Sequence, residues 1–196
     1  MTCHRRFQQE DQDHFARLSG DYNPFHIDSV AARRFIYGRP VVHGVHILLW
    51  SLENLCEQIP GPFCIKELDV DFPMALAVKE EADCSLKSAD GNSFRIEVKD
   101  GRKRIVTLIQ VQTVSGEKEG VSLEQGIPPE TTPIHVQPAK ALGVTGRLKL
   151  LMDAKLAGQL FPRVFDHLPN WQLALLLACG RLVGMEYPGR DSIFSH

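Results

Sequence analysis

The sequence predicts an α+β domain in which a curved antiparallel sheet wraps one long helix. Two observations predict it. Between Val41 and Glu57, apolar residues recur at three- and four-residue spacings (Val42, Val45, Leu48, Leu49, Leu52, Leu55, Cys56), the period of a helix. Ile47 and Trp50 widen that stripe until the helix must be covered on most sides. Beyond it, alternating segments are separated by Asp90-Gly91-Asn92 and Asp100-Gly101, which read as hairpin turns and so as an antiparallel meander.

The elements follow in order. A first helix is expected from Gln9 to Leu18, with Phe15, Ala16 and Leu18 on its apolar side and Ser19-Gly20 as its stop. Asp21 to Asp28 reads as a loop, because Pro24 removes the αR conformation from Asn23. Asp28 or Ser29 can cap a short helix, Val30 to Phe35, and Tyr37-Gly38-Arg39-Pro40 breaks the chain before the long helix. Ile59-Pro60-Gly61-Pro62 ends that helix. Strands are expected at Cys64–Phe72, Leu76–Ser88, Ser93–Lys99 and Lys103–Val114. From Ser115 to about Lys140 the prolines and glycines read as a linker. Helical pattern resumes from Arg147 to Leu160, Pro162 breaks it, and a second apolar helix runs from Asn170 to Val183.

The tail resembles the middle of the first unit. Pro40–Ile65 and Leu168–Phe194 each read as a buried helix, a Pro-Gly pair and an apolar dipeptide, at an offset of about 128 that sets Trp171 opposite His43 and Gln172 opposite Gly44. Lys149 to Leu156 stands where the Asp21–Asp28 loop would be repeated. The division expected is a domain at 1–114, a Pro-rich linker at 115–145 and a helical tail at 146–196, an incomplete second repeat.

Asp21, Asn23 and His26 fall within six residues of one turn-forming loop, and His43-Gly44 then opens the long helix. An acid, an amide, an imidazole and a helix N-terminus make the inventory of a proton-transfer site. Asp28 reads as a cap, His46 as a core residue, and Arg17, Tyr22, Phe25 and Ile27 as residues that shape a pocket.

Composition excludes several classes. The net charge of -2 and pI of about 6.4 give no field for nucleic acid or anionic lipid. Five cysteines without a C-x-x-C pair argue against a zinc cluster or a disulfide framework and fit a reducing cytoplasm. The longest apolar run, Leu173 to Cys179, is too short for a membrane span.

The order F-A-x-L-S-G-D-x-N-P-x-H-x-D, then P-x-x-H-G, occupies Phe15 to Asp28 and Pro40 to Gly44. It resembles the MaoC-like hydratase/dehydratase family, which includes (R)-specific enoyl-CoA hydratases. The resemblance implies a hot-dog fold for 1–114, with the tail as part of a second, degenerate hot-dog unit. It implies Asp21 and His26 as the catalytic pair, Asn23 and His43 as positioning groups for water or substrate, and the Gly44 backbone N–H as the oxyanion donor. It implies reversible hydration of a trans-2-enoyl thioester to the (R)-3-hydroxyacyl thioester, carried on coenzyme A or an acyl carrier protein. No metal or other cofactor is expected. Two units would sit side by side, from a homodimer or from one chain as a pseudo-dimer. Two rival readings are a thioester-binding scaffold half without turnover and a thioesterase on the same fold.

Overall fold

The computed structural model describes residues 2–116, 123–136, 140, 143, 145–147 and 149–186. Five strands form an antiparallel sheet: β1 (Thr2–Arg6), β2 (Phe63–Asp71), β3 (Glu81–Asp90), β4 (Ser93–Asp100) and β5 (Ile105–Ser115), in the order β1-β3-β4-β5-β2. Both expected hairpin turns join neighbours in the meander, β3 to β4 and β4 to β5. Four helices belong to the same layer pair: α1 (Gln9–Ser19), α2 (Pro24–Ile27), α3 (Ser29–Ala32) and α4 (Gly44–Leu55).

The outer strand β1 was not expected. Its residues, Thr-Cys-His-Arg-Arg, are polar and only half-buried, and its pairing with β3 (Cys3 opposite Cys84) supplies what its own pattern lacks. β3 starts at Glu81, not at Leu76. Residues 76–80 instead bracket the chain ahead of α4: Val42 N–H donates to the Leu76 carbonyl, Val78 N–H to Pro40, and Val41 bridges Ala77. That pairing makes Val41 and Val42 extended, so α4 begins at Gly44 rather than at Val41. The expected helix at Val30–Phe35 shrinks to Ser29–Ala32, started by Asp28, whose carboxylate accepts from Val30 N–H and Ala31 N–H.

α4 is buried along its length apart from Gly44 and Asn54. A sheet covers only one side of a helix, so a second layer is required. The tail supplies it with α5 (Ala154–Leu160), α6 (Pro162–His167) and α7 (Asn170–Arg181), and both α6 and α7 pack on α4. Phe161, Val164, Leu168, Leu173 and Leu177 join the cluster that contains Leu48, Leu49 and Leu52. α7 continues into a wider π turn, Leu182–Glu186.

The tail differs from expectation at its start. Helix begins at Ala154, not Arg147, because Asp153 caps it by accepting from Leu156 N–H, while Leu151–Met152 (β7) pairs in parallel with Glu124–Gln125 (β6). Pro162 ends one helix and begins the next, where a missing N–H costs nothing. The expected repeat's Pro188-Gly189 pair, and parts of the linker at 117–122 and 137–139, lie outside the described residues.

Polar anchors fix the tail, Gln172 and Glu53 among them. Gln172 donates to the Ile65 carbonyl and accepts from Ile65 N–H, at the irregularity in the edge strand β2. Glu53, buried in α4, accepts from Arg163 N–H and Val164 N–H, both at 2.9 Å, and so caps α6. Removing it orphans one buried donor, Val164 N–H, at about 1–3 kcal/mol, and a half-buried one, Arg163 N–H. Glu53→Ala should therefore lower Tm by roughly 2–12 °C at about 2–4 °C per kcal/mol for a chain of this size. A thermal melt checks this, and a change under 2 °C would show that the cap carries no such load.

Candidate active site

α1 ends where the site begins. Gly20 takes the left-handed conformation (φ 78°) and its N–H donates to the Ala16 carbonyl, turning the chain so that Asp21 points back toward the head of α4. Asn23 then caps α2: its Oδ1 accepts from Phe25 N–H at 3.1 Å. α2 carries His26, so Asn23 orients the imidazole through the helix it starts. The Asn23 Nδ2 donates to the Gly184 carbonyl at 2.9 Å, a bond that reaches across 161 residues of chain.

His26 Nδ1 lies 2.8 Å from the Val41 carbonyl oxygen. A carbonyl only accepts, so Nδ1 carries the hydrogen and the Nε2 lone pair is left for the cavity. Burial pushes the His26 pKa down from 6.5 to about 4, with the Val41 carbonyl opposing it. Asp21 is buried, and desolvation raises its pKa from 3.8 to about 7, against a bond its Oδ1 accepts from Asn23 N–H. The two shifts run in opposite directions for one reason: both groups lose water, and each is held toward its neutral form.

Asp21, His26 and His43 each place one donor atom within 4.8 Å of the others. No direct hydrogen bond or ion pair joins the Asp21 carboxylate to His26 among the described residues. His43 is stacked beneath His26, ring centroids 3.8 Å apart. Its Nε2 lies 3.0 Å from the Asp21 carbonyl oxygen and its Nδ1 3.0 Å from Gln12 Oε1, which also accepts from the His43 N–H. Burial first, and His26 next, hold the His43 pKa well below its ordinary value. With both His43 nitrogens turned to oxygens and His26 Nδ1 taken by Val41, the cluster offers a metal two open donors among the described residues, fewer than the three or four protein ligands such a site uses.

The cavity is small, about 60 Å³, and Asp21, Asn23, His26 and Gly44 all line it. His43 does not; it braces the Asp21 backbone from behind. The N–H groups of Gly44 and Val45, in the first turn of α4, have no partner among the described residues. A Cβ on Gly44 would meet the Phe72 ring at 3.0 Å, so glycine lets that ring close the cavity over the helix tip. Of the residues expected to shape the pocket, Phe25 lines it, with Tyr37, Phe72 and Met74. His46 is core, stacked on Phe15.

Sequence reasoning missed Gln12, Val183 and Gly184. Gln12 falls on the buried side of α1 with Phe15, Ala16 and Ser19; a lone amide on an apolar stripe is the signal that could have found it. Val183 and Gly184 line the cavity from the far end of the chain, where only the four-residue spacing of Gly180 and Gly184 hinted at a close approach.

Similarity to known proteins accords with this geometry. The family model of the MaoC like domain matches residues 2–110. The (R)-specific enoyl-CoA hydratase of Aeromonas caviae is 42% identical over 59 residues, 29% of this chain and 42% of that enzyme. The peroxisomal hydratase-dehydrogenase-epimerase of Saccharomyces cerevisiae is 41% identical over 63 residues, 32% of this chain and 7% of that protein. The matched stretches thus span less than half of either relative. Among solved structures, the A. caviae (R)-hydratase superposes with a TM-score of 0.51 at 22% identity, covering 59% of this chain and 93% of that one. A MaoC-like dehydratase from Phytophthora capsici gives 0.51 at 19% identity, covering 60% and 42%. These structures share the hot-dog architecture of sheet wrapped on helix. With the matching model spanning more than half of its length, this chain belongs to the MaoC-like domain family.

Proposed function

We propose that the protein is a hydro-lyase that interconverts a trans-2-enoyl thioester and water with the (R)-3-hydroxyacyl thioester, carried on coenzyme A or an acyl carrier protein. One observation carries the reading: Asp21 and His26, whose Nδ1 alone is hydrogen-bonded among the described residues, face one cavity, close but unbonded to each other, beside the Gly44 N–H at the tip of α4, which has no partner among those residues. With no hydrogen bond between them among the described residues and a gap of at most 4.8 Å, the two groups leave room for a single bridging water.

Hydration needs a base for the water, an acid for the α-carbon and a home for negative charge. Neutral His26 takes a proton from the water at Nε2 as the oxygen bonds to the β-carbon. The double-bond electrons move to the thioester oxygen, which the Gly44 N–H receives. Protonated Asp21 delivers its proton to the α-carbon, leaving the carboxylate, and a proton passing from His26 to Asp21 restores the starting state. Dehydration runs the same steps backward. One oxyanion donor is typically worth roughly 10²–10³ in rate, and a positioned acid or base about 10²–10⁴. The similarity to the (R)-specific enzyme supports the stereochemistry.

Mixing the chain with crotonyl-CoA and following the enoyl absorbance tests the reading. Loss of absorbance, with 3-hydroxybutyryl-CoA as product and no free thiol, is expected. Binding without turnover, or release of thiol, would overturn it in favour of a scaffold half or a thioesterase.

A further inference from the structure

The tail does more than cover α4, because its end enters the site. The π turn Leu182–Glu186 places the Gly184 backbone directly against the Asp21 carboxylate: a Cβ built there would be driven into Oδ1 and would lie 2.8 Å from Cγ and Oδ2. Gly184 does not have a positive φ. The demand for glycine therefore comes from space and not from backbone conformation. The Gly184 carbonyl accepts from Asn23 Nδ2. Val183 and Gly184 both line the cavity. The turn is itself tied down, since Ile134 N–H donates to the Met185 carbonyl at 2.9 Å. One turn earlier, a Cβ built on Gly180 would lie 3.4 Å from Val45 Cγ2 and 3.7 Å from Asp21 Oδ2, ordinary contacts for an added methyl.

We propose that Gly184 is a positioning residue of the acid–base centre, and that the π turn it occupies is the wall by which this chain completes its own site. Its backbone holds the Asp21–Asn23 segment from the side of the tail and keeps bulk water from the carboxylate. A larger residue at 184 would have to push the turn outward or the carboxylate aside. The first admits water to Asp21; the second spoils its distance to His26. The catalytic consequence rests on the hydratase reading above, whereas the steric coupling between 184 and 21 does not.

The experiment is a cycle in the full chain: Gly184→Ala, Asp21→Ala and the double variant, with Gly180→Ala as the control for a methyl in the same face. Melting temperatures come first. Gly184→Ala is expected to lower Tm by roughly 5 °C or more, at about 2–4 °C per kcal/mol. In the Asp21→Ala background, where the obstructing carboxylate is gone, the drop should be less than half as large, and Gly180→Ala, a methyl in ordinary contact at a helical position, should leave Tm unchanged or raise it by about 2–4 °C. Equal drops in both backgrounds would overturn the proposal. Should Gly184→Ala fail to fold, the double variant must still fold; failure of both would also overturn it. The second readout is the carboxyl carbon of Asp21, followed by NMR titration. Its midpoint should fall by at least one pH unit in Gly184→Ala and stay in place in Gly180→Ala; an unmoved midpoint in both would overturn the positioning role. The third is kcat for hydration, expected to fall at least tenfold with KM changed less than threefold. If the unmodified chain shows no turnover, the hydratase reading fails, and the Tm cycle and the titration still decide this proposal.

Discussion

Asp21→Asn should reduce turnover of an enoyl thioester by about 10²–10⁴-fold while making the protein more stable above neutral pH. The two effects have one origin. Asp21 is buried, its carboxylate meets the Asn23 N–H and the Gly184 backbone, and its pKa rises from 3.8 to about 7. A group whose pKa is raised by folding contributes stability that is fully present below the unfolded value and is lost as pH climbs to the folded one. For Asp21 that loss opens near pH 3.8 and is complete near pH 7. A shift of about three units corresponds to roughly 4 kcal/mol at 1.36 kcal/mol per unit. Asparagine keeps the shape and removes the ionisation. The variant's advantage in Tm should therefore be near zero at pH 4, grow through pH 5 and 6, and level off by pH 8 at roughly 8–16 °C, at about 2–4 °C per kcal/mol. Melts of the two proteins across that range check the curve. An asparagine variant less stable than the parent at pH 8 would mean that the carboxylate is well solvated in the folded protein. With the Asp21 carboxyl buried, the site is a place where stability is given up for a proton-transfer group.

How much of this was legible beforehand divides by range. Local signals held. The Gly20 turn, the Asp28 cap, the α4 stripe and the hairpins all act within a few residues, and each was read from the sequence with its boundary off by a few positions at most. The Asp21–Asn23–His26 loop was legible because its chemistry and its turn residues coincide in one short stretch. What the sequence could not disclose is carried by contacts between distant segments. β1 exists because β3 pairs with it. Residues 76–80 leave the sheet because Val41 and Val42 claim them. His43 was expected to position water or substrate; Gln12 from α1 and the Asp21 carbonyl draw its ring behind the cavity wall, a placement set by distant segments. The expected repeat set Gln172 opposite Gly44; the structure gives Gln172 a different task, that of pairing with the backbone of Ile65. Gly184 is the extreme case, since its meaning depends on a carboxylate more than 160 residues away.

The hydration rate should follow a bell in pH, rising through about 4 and falling above about 7. The pair holds one shared proton across that window: below it His26 is also protonated, and above it Asp21 has lost its own. Protonated His26 has no lone pair at Nε2 for the water, which sets the acid limb; ionised Asp21 has no proton for the α-carbon, which sets the other. The reverse reaction uses the same one-proton state with the proton on the other partner, so its kcat/KM should show the same two limbs. His26→Ala should cost about 10²–10⁴-fold and erase the acid limb while leaving the fall above pH 7; Asp21→Asn should do the opposite. His26 also sets a stability limb of its own. Its pKa is depressed by folding, so its contribution is present above 6.5 and is lost as pH falls toward 4. The rate should therefore decline on the acid side in the parent, while in Tm the His26 loss runs against the Asp21 gain, so the His26 limb is read as a difference: the Tm of the parent minus that of His26→Ala should fall as pH drops from 6.5 toward 4. A hydration rate that keeps climbing from pH 7 to 9 would reverse the assignment, because it would require the Asp21 carboxylate, rather than its acid form, to be the working state.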